Sequence, residues 1–122
     1  MRDCIRKVDE AAEFYSDERC FILELLNTSE DEEVSIARAR VAPGVTTALH
    51  RLSNAVERYV ILAGQGRVEI GDLPPTDVVP GDLVVIQVGT PQRISNTGDS
   101  DLVFLCICTP RFRQECYESL EQ

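Results

Sequence analysis

Apolar and polar residues alternate in short segments through most of the chain, a pattern typical of β-strands with one buried face. In the segment 34–41 (VSIARARV), the alanines lie on one face and the arginines on the other. The apolar segment 20–27 (CFILELLN) is also short enough to favour a buried strand over a helix. Gly and Pro turns separate the remaining segments, for example at Gly64-Gln65-Gly66 and Gly89-Thr90-Pro91. The pattern therefore predicts an all-β sandwich or barrel.

The two ends of the chain depart from this alternation. Residues 9–15 have the spacing of a short amphipathic helix, and the tail (RFRQECYESLEQ) is predicted to close the fold as a second short helix. We therefore predict one domain in three parts. An N-terminal segment, 1–33, packs one strand on a barrel formed by 34–109, and a tail, 110–122, follows.

Composition narrows the classes of partner. The 122 residues carry a net charge of -9, which disfavours nucleic acid and anionic membranes as partners. No apolar run is long enough to span a bilayer, and the first residues lack the apolar core of a secretory signal. We expect a cytoplasmic protein whose five cysteines, which form no CxxC pair, are structural thiols.

Glycines and polar residues recur at fixed spacings in two neighbouring segments. The first segment follows the pattern G-x5-H-x-L-x4-E-x6-G and the second follows G-x5-Q-x-G-x2-Q-x3-N. In the first segment these positions are Gly44, His50, Leu52, Glu57 and Gly64. In the second they are Gly81, Gln87, Gly89, Gln92 and Asn96. Both motifs, in this order, resemble those of the cupin superfamily, and specifically its small single-domain, mannose-6-phosphate isomerase-like members.

This resemblance implies a small jelly-roll or double-stranded β-helix barrel with short terminal helical segments. The family pattern supplies His, His, Glu and His as metal ligands, but here Leu52 replaces the second His and Gln92 replaces the third. His50, Glu57 and Gln92 are therefore the candidate ligands for Mn, Fe, Ni or Zn. Alternatively, Glu57 and Gln92 hydrogen-bond to His50 inside the barrel and no metal binds. The ligand chemistry leaves these two possibilities equally open.

Strand periodicity extends the candidate site. Residues two apart share a face, so Leu52, Tyr59 and Ile94 are predicted to line the pocket with the candidate ligands. Arg38 and Arg40 could line its mouth and hold an anionic substrate. Glu57 and Tyr59 are the candidate catalytic groups.

Two functions follow from this site. The first is a metal-dependent isomerase, lyase or oxygenase acting on a small oxyanionic or sugar-derived substrate. The alternative is a non-catalytic cupin that binds or senses a small molecule without metal. A homodimer is expected, with contacts around residues 21–25 and Phe112, because edge strands need cover.

Overall fold

Two antiparallel β-sheets face each other in the computed structural model, which describes residues 1–121. The first sheet has the spatial order β1-β2-β3-β10-β5-β8, with bounds Phe14–Tyr15, Phe21–Leu26, Ser35–Val41, Leu102–Thr109, Val56–Ala63 and Leu83–Ile86. The second has the order β11-β4-β9-β6-β7, with bounds Tyr117–Ser119, His50–Leu52, Gln92–Asn96, Gly66–Ile70 and Thr76–Val78. The prediction of an all-β jelly roll is confirmed.

Alternation along each strand determines which side chains enter the space between the sheets. On β5 the buried positions are Glu57, Tyr59 and Ile61, and their neighbours are more exposed. On β9 the buried positions are Gln92, Ile94 and Asn96. β5 therefore buries one charged residue and β9 buries two polar ones, each beside apolar side chains, so the core contains both apolar and polar groups.

The apolar part of the core fills one end of the sandwich. Ile61, Ile94, Leu102 and Phe104 are each at most 2% exposed and belong to one cluster that spans both sheets. A second, smaller cluster contains Leu52 and lies beside the C-terminal tail. The polar groups described below lie where these two clusters meet.

One hairpin requires a glycine for both its backbone angle and its packing. Gly64 follows β5 with a φ of +84°, in the left-handed region that side chains disfavour. A Cβ at this position would lie 2.5 Å from the carbonyl oxygen of Asp101. The turn therefore brings the β5–β6 hairpin directly against the start of β10.

The terminal segments contain much less helix than the sequence suggests. Only the single 3-10 turn Glu10–Ala12 forms within 9–15, and β1 follows because Phe14 and Tyr15 pair with β2. The tail likewise forms one 3-10 turn, Gln114–Cys116, before β11 pairs with β4. Short helical segments therefore form at both ends as predicted, but each is a single turn, since sheet edges supplied backbone partners that local periodicity cannot reveal.

The part of the chain described, residues 1–121, contains no helix with the length and apolarity needed to cross a membrane.

Candidate ligand-binding site

A cavity of about 350 Å³ lies between the sheets. β1, β11 and the β1–β2 connection form part of its wall. A second space of about 30 Å³ lies deeper and shares Glu18, Ile22, His50, Glu57 and Cys106 with it. We call these the main cavity and the inner cavity. The main cavity has the size of a small-molecule site, and the inner one can hold a water molecule.

The first sheet contributes a carboxyl group, a phenol and two thiols. Glu57 lies opposite Cys108 and Tyr59 lies opposite Cys106 in the β5–β10 register, so all four side chains enter the space between the sheets. The Cys108 thiol donates to Glu57 Oε2 over 3.7 Å. The hydroxyl of Tyr59 donates to Gln92 Oε1 on the opposite sheet.

The second sheet contributes the imidazole. His50 is 4% exposed, and its Nδ1 lies 2.9 Å from the carbonyl oxygen of Ala48. Because a carbonyl only accepts, Nδ1 carries a proton there. The ring stacks on Tyr117 of β11, with 4.9 Å between ring centroids. These two contacts fix the ring plane and direct Nε2 toward Glu18 Oε1, which lies 3.3 Å away.

Glu57 is the most constrained group of the site. It is 8% exposed, and its Oε1 is buried without any hydrogen-bond partner from residues 1–121. Burial raises the pKa of Glu57 to about 7, against opposing effects of His50 and of hydrogen bonding by Gln92 and Cys108. Burial also raises the pKa of Glu18, again opposed by His50. The site therefore holds two carboxyl groups that bind protons more tightly than ordinary glutamates.

The thiols and the phenol stay protonated. Burial raises the pKa of Cys20 to about 12 and that of Cys106 and Cys108 well above the ordinary thiol value. It also raises the pKa of Tyr59 well above its ordinary value. Neutral thiols are poor nucleophiles, and a protonated phenol acts as a hydrogen-bond donor.

The structure brings most of the predicted site residues together. His50, Glu57, Tyr59 and Ile94 line the inner cavity, Leu52 lines the main cavity, and Gln92 is buried beside Tyr59.

Arg38 and Arg40 lie elsewhere. Their guanidinium groups pair with Glu13, and also with Glu10 and Asp101 respectively. The prediction that they line the pocket needs correction, because Ala39 occupies the buried face of β3 and its neighbours point outward.

Several cavity residues were absent from the sequence prediction. The period-2 alternation of β10 could have placed Cys106 and Cys108 together on the inward face. Tyr117 lay in a tail that we interpreted as helical. Glu18 lies in the turn between β1 and β2, where no periodicity indicates which way a side chain points.

The donor atoms do not fit the predicted metal centre. His50 Nε2 and Glu57 Oε1 are suitable donors, but Gln92 Oε1 already accepts from Tyr59, and Leu52 has no lone pair. Within residues 1–121, no three His, Cys, Asp or Glu side chains are grouped so as to hold a metal ion. A catalytic metal of the transition series takes three protein ligands or more in the usual protein sites.

Comparison with known proteins identifies relatives of the whole chain. The family model described as a cupin domain matches residues 37–108. The uncharacterised protein MJ1618 of Methanocaldococcus jannaschii is 33% identical over 115 residues, covering 93% of this chain and 91% of that protein. An oxalate-binding protein of Thermotoga maritima is 34% identical over 73 residues, covering 58% of each chain. A conserved protein of Klebsiella pneumoniae with a double-stranded β-helix domain superposes with a TM-score of 0.77 at 16% identity, covering 97% of this chain and 99% of that one.

Proposed function

Because this chain belongs to the cupin domain family, we propose that it binds a small organic molecule in the main cavity without a resident metal. The observation that carries this proposal is Glu57. A cavity of about 350 Å³ leads to a buried carboxyl group whose Oε1 lacks a partner among the residues described. Leaving a buried acceptor unpaired costs about 1–3 kcal/mol, so a ligand that donates to it gains affinity.

The remaining contacts support a binding role. Leu52, Ile22 and Phe112 provide apolar surface in the main cavity, and few polar groups converge at its inner end. This combination of apolar walls with a few fixed polar atoms is typical of small-molecule sites. The stacked and hydrogen-bonded His50 ring is held in one orientation before any ligand arrives.

A metal-dependent isomerase, lyase or oxygenase is the second candidate. It is favoured by His50 Nε2 and Glu57, since both line the inner cavity and would hold a divalent ion if one entered. The ion would polarise a carbonyl group or stabilise an enediolate.

A cavity-filling pair of variants tests the proposal. Ile22 lines both cavities, whereas Leu25 on the same strand lines neither. The chain has no tryptophan, so Ile22→Trp and Leu25→Trp each add one fluorophore of equal size. We expect chelator-treated parent protein and Leu25→Trp to gain thermal stability with members of a panel of cationic, neutral and anionic compounds that includes oxalate. Ile22→Trp should lose that gain.

The same experiment can contradict the proposal. If binding disappears after chelation and returns with Mn, Ni or Zn, the metal-dependent candidate replaces it. Elemental analysis of the purified parent beside His50→Ala would then show bound metal only in the parent. If no compound gives a saturable shift that Ile22→Trp removes, the main cavity is not a binding site.

A further inference from the structure

The main cavity carries acidic and aromatic side chains, and His50, whose Nε2 lies 3.3 Å from Glu18 Oε1, is its one basic group among residues 1–121. Its acidic residues are Asp17, Glu18, Glu24 and Glu57, and none of the Lys or Arg side chains in residues 1–121 lines it. We propose that the ligand is an organic cation that carries an N–H group and an apolar or aromatic portion. This inference rests on the proposed function and names the chemical class of its ligand.

The charges around the cavity favour a positive ligand over a negative one. The arginines next in sequence to its lining residues are engaged elsewhere. Arg19 pairs with Glu121 and Arg51 with Glu118. Arg58 donates to Thr109, and Arg111 and Arg113 pair with Glu32. No free guanidinium therefore offsets the acidic lining. With a net charge of -9 on the whole chain, the potential at the cavity mouth attracts cations. A dicarboxylate such as oxalate would find no Lys or Arg side chain of residues 1–121 to pair with there.

Glu57 supplies an anchor for the N–H group. Its side chain is more than nine-tenths buried, and its Oε1 is left without a partner while Oε2 accepts from Cys108. An acceptor in this state favours a ligand that brings its own donor. A positive charge on that donor strengthens the hydrogen bond by stabilising the ionised carboxylate. Once it has lost its proton, which happens above its pKa of about 7, Glu57 therefore selects for a charged donor over a neutral acceptor.

Aromatic rings cover the rest of the cavity wall. Phe14, Tyr15, Phe112 and Tyr117 come from β1, the tail and β11. Phe14 is 49% and Tyr15 is 61% exposed, so both rings have faces available to a bound molecule. Aromatic faces attract cations through the ring quadrupole and also bury apolar surface well. Rings beside carboxyl groups are thus suited to an amine with an apolar body.

Three probes of nearly equal shape and different charge test this inference. Phenethylamine, 2-phenylethanol and 3-phenylpropionate share a phenyl ring on two carbons, and end in an ammonium, a hydroxyl and a carboxylate. Binding to chelator-treated protein is measured by calorimetry in the parent, in Glu57→Gln and in Glu69→Gln. Glu69 pairs with Arg93 on the second sheet and does not line the cavity. Glu69→Gln therefore makes the same substitution as Glu57→Gln outside the cavity.

We expect phenethylamine to bind about tenfold or more tightly than 2-phenylethanol, and 3-phenylpropionate to bind most weakly. Glu57→Gln should reduce the affinity for the amine by about tenfold and leave the affinity for the alcohol unchanged, whereas Glu69→Gln should change neither. Equal or tighter binding of the alcohol or the acid would overturn the cation inference while supporting a binding cavity. If none of the three binds, the inference also fails, and the panel with Ile22→Trp decides separately whether the cavity binds anything.

Discussion

Glu57 illustrates how one buried residue can be suited to function at a cost in stability. Its carboxyl group keeps a pKa of about 7 because burial disfavours the charged form, whereas the ordinary value is 4.5. Between these pH values the unfolded chain releases the proton and the folded chain keeps it. The free energy of unfolding therefore decreases as the pH rises from about 4.5 to about 7, and it stays lowered above that range.

Glu57→Gln tests this residue directly. Near pH 4.5 the variant and the parent should have similar stability, and near pH 8 the variant should be more stable by on the order of 3 kcal/mol. The groups that face or surround Glu57 are present in both proteins: Glu18, His50, Tyr59, Gln92 and Cys108. The difference therefore reports Glu57 together with its electrostatic interactions with Glu18 and His50. Urea unfolding across this pH range measures it.

Glu69→Gln provides the control, because Arg93 lowers the pKa of Glu69 through a hydrogen bond. The contribution of Glu69 to the free energy of unfolding has the opposite sign. It is present above the ordinary pKa of a glutamate and is lost as the pH falls. A Glu57→Gln curve parallel to the parent curve from pH 4.5 to 8 would show that folding does not raise the pKa of Glu57.

At the residue scale, sequence reasoning found the polar centre but not its environment. His50, Glu57 and Gln92 occupied motif positions, and strand periodicity predicted their common orientation. The hydrogen-bonding state of Gln92 Oε1 depends on Tyr59, whose hydroxyl donates to this oxygen from the opposite sheet. That contact joins residues on strands from different sheets, and no local pattern encodes the distance between sheets.

Among the elements, the connection from β9 to β10 depends on a single side chain. Asn96 is 4% exposed, and its Nδ2 donates to the carbonyl oxygens of Val41 and Ser100, both over 2.8 Å. Its Oδ1 accepts from the Gly98 N–H over 2.9 Å. These three bonds tie the turn to itself and to β3. They also explain the physical role of the asparagine that closes the second sequence motif.

Removing these bonds should destabilise the fold measurably. We expect Asn96→Ala to lower the free energy of unfolding by about 2–3 kcal/mol, because buried backbone carbonyls lose their donor. Asn54→Ala is the matched control, since Asn54 is exposed in the turn before β5. Guanidinium unfolding of both variants measures the difference. If the two variants lie within about 0.5 kcal/mol of each other, the Asn96 bonds do not stabilise the turn.

The sequence predicted strands correctly where Gly and Pro turns separate them. It did not predict the strands at the two ends of the chain. The segment 34–109 shows its alternation clearly because one face of each strand is buried. β1 and β11 are only two and three residues long, and they are strands because β2 and β4 offer paired backbone. Their residues include Tyr15 and Tyr117, which line the main cavity. The tertiary context that forms these strands also forms the cavity.

For the whole molecule, the homodimer expected from the sequence is still a prediction, and the structure offers β8 as a second candidate contact beside residues 21–25 and Phe112. β2 lies between β1 and β3, but β1 pairs only with its first two residues, Phe21 and Ile22, and the rest of that edge has no strand beside it within residues 1–121. β8 lies at the end of the first sheet, and within residues 1–121 it pairs only with β5. Its outward side chains Leu83 and Val85 are 61% and 48% exposed. An apolar edge strand of this kind favours pairing with a second copy of the chain.

Light scattering tests this assembly against the chain mass of 13.6 kDa. We expect the parent to have twice that mass at micromolar concentration, and the dimer to tighten with salt, because a net charge of -9 on each copy opposes association. Leu83→Glu together with Val85→Glu adds charge to the contact and should give monomers that retain the parent circular dichroism spectrum. Val8→Glu, at a residue 61% exposed near the N-terminus, should leave the dimer intact. A monomeric parent, or a dimer that persists in the β8 variant, would place association elsewhere or exclude it at these concentrations.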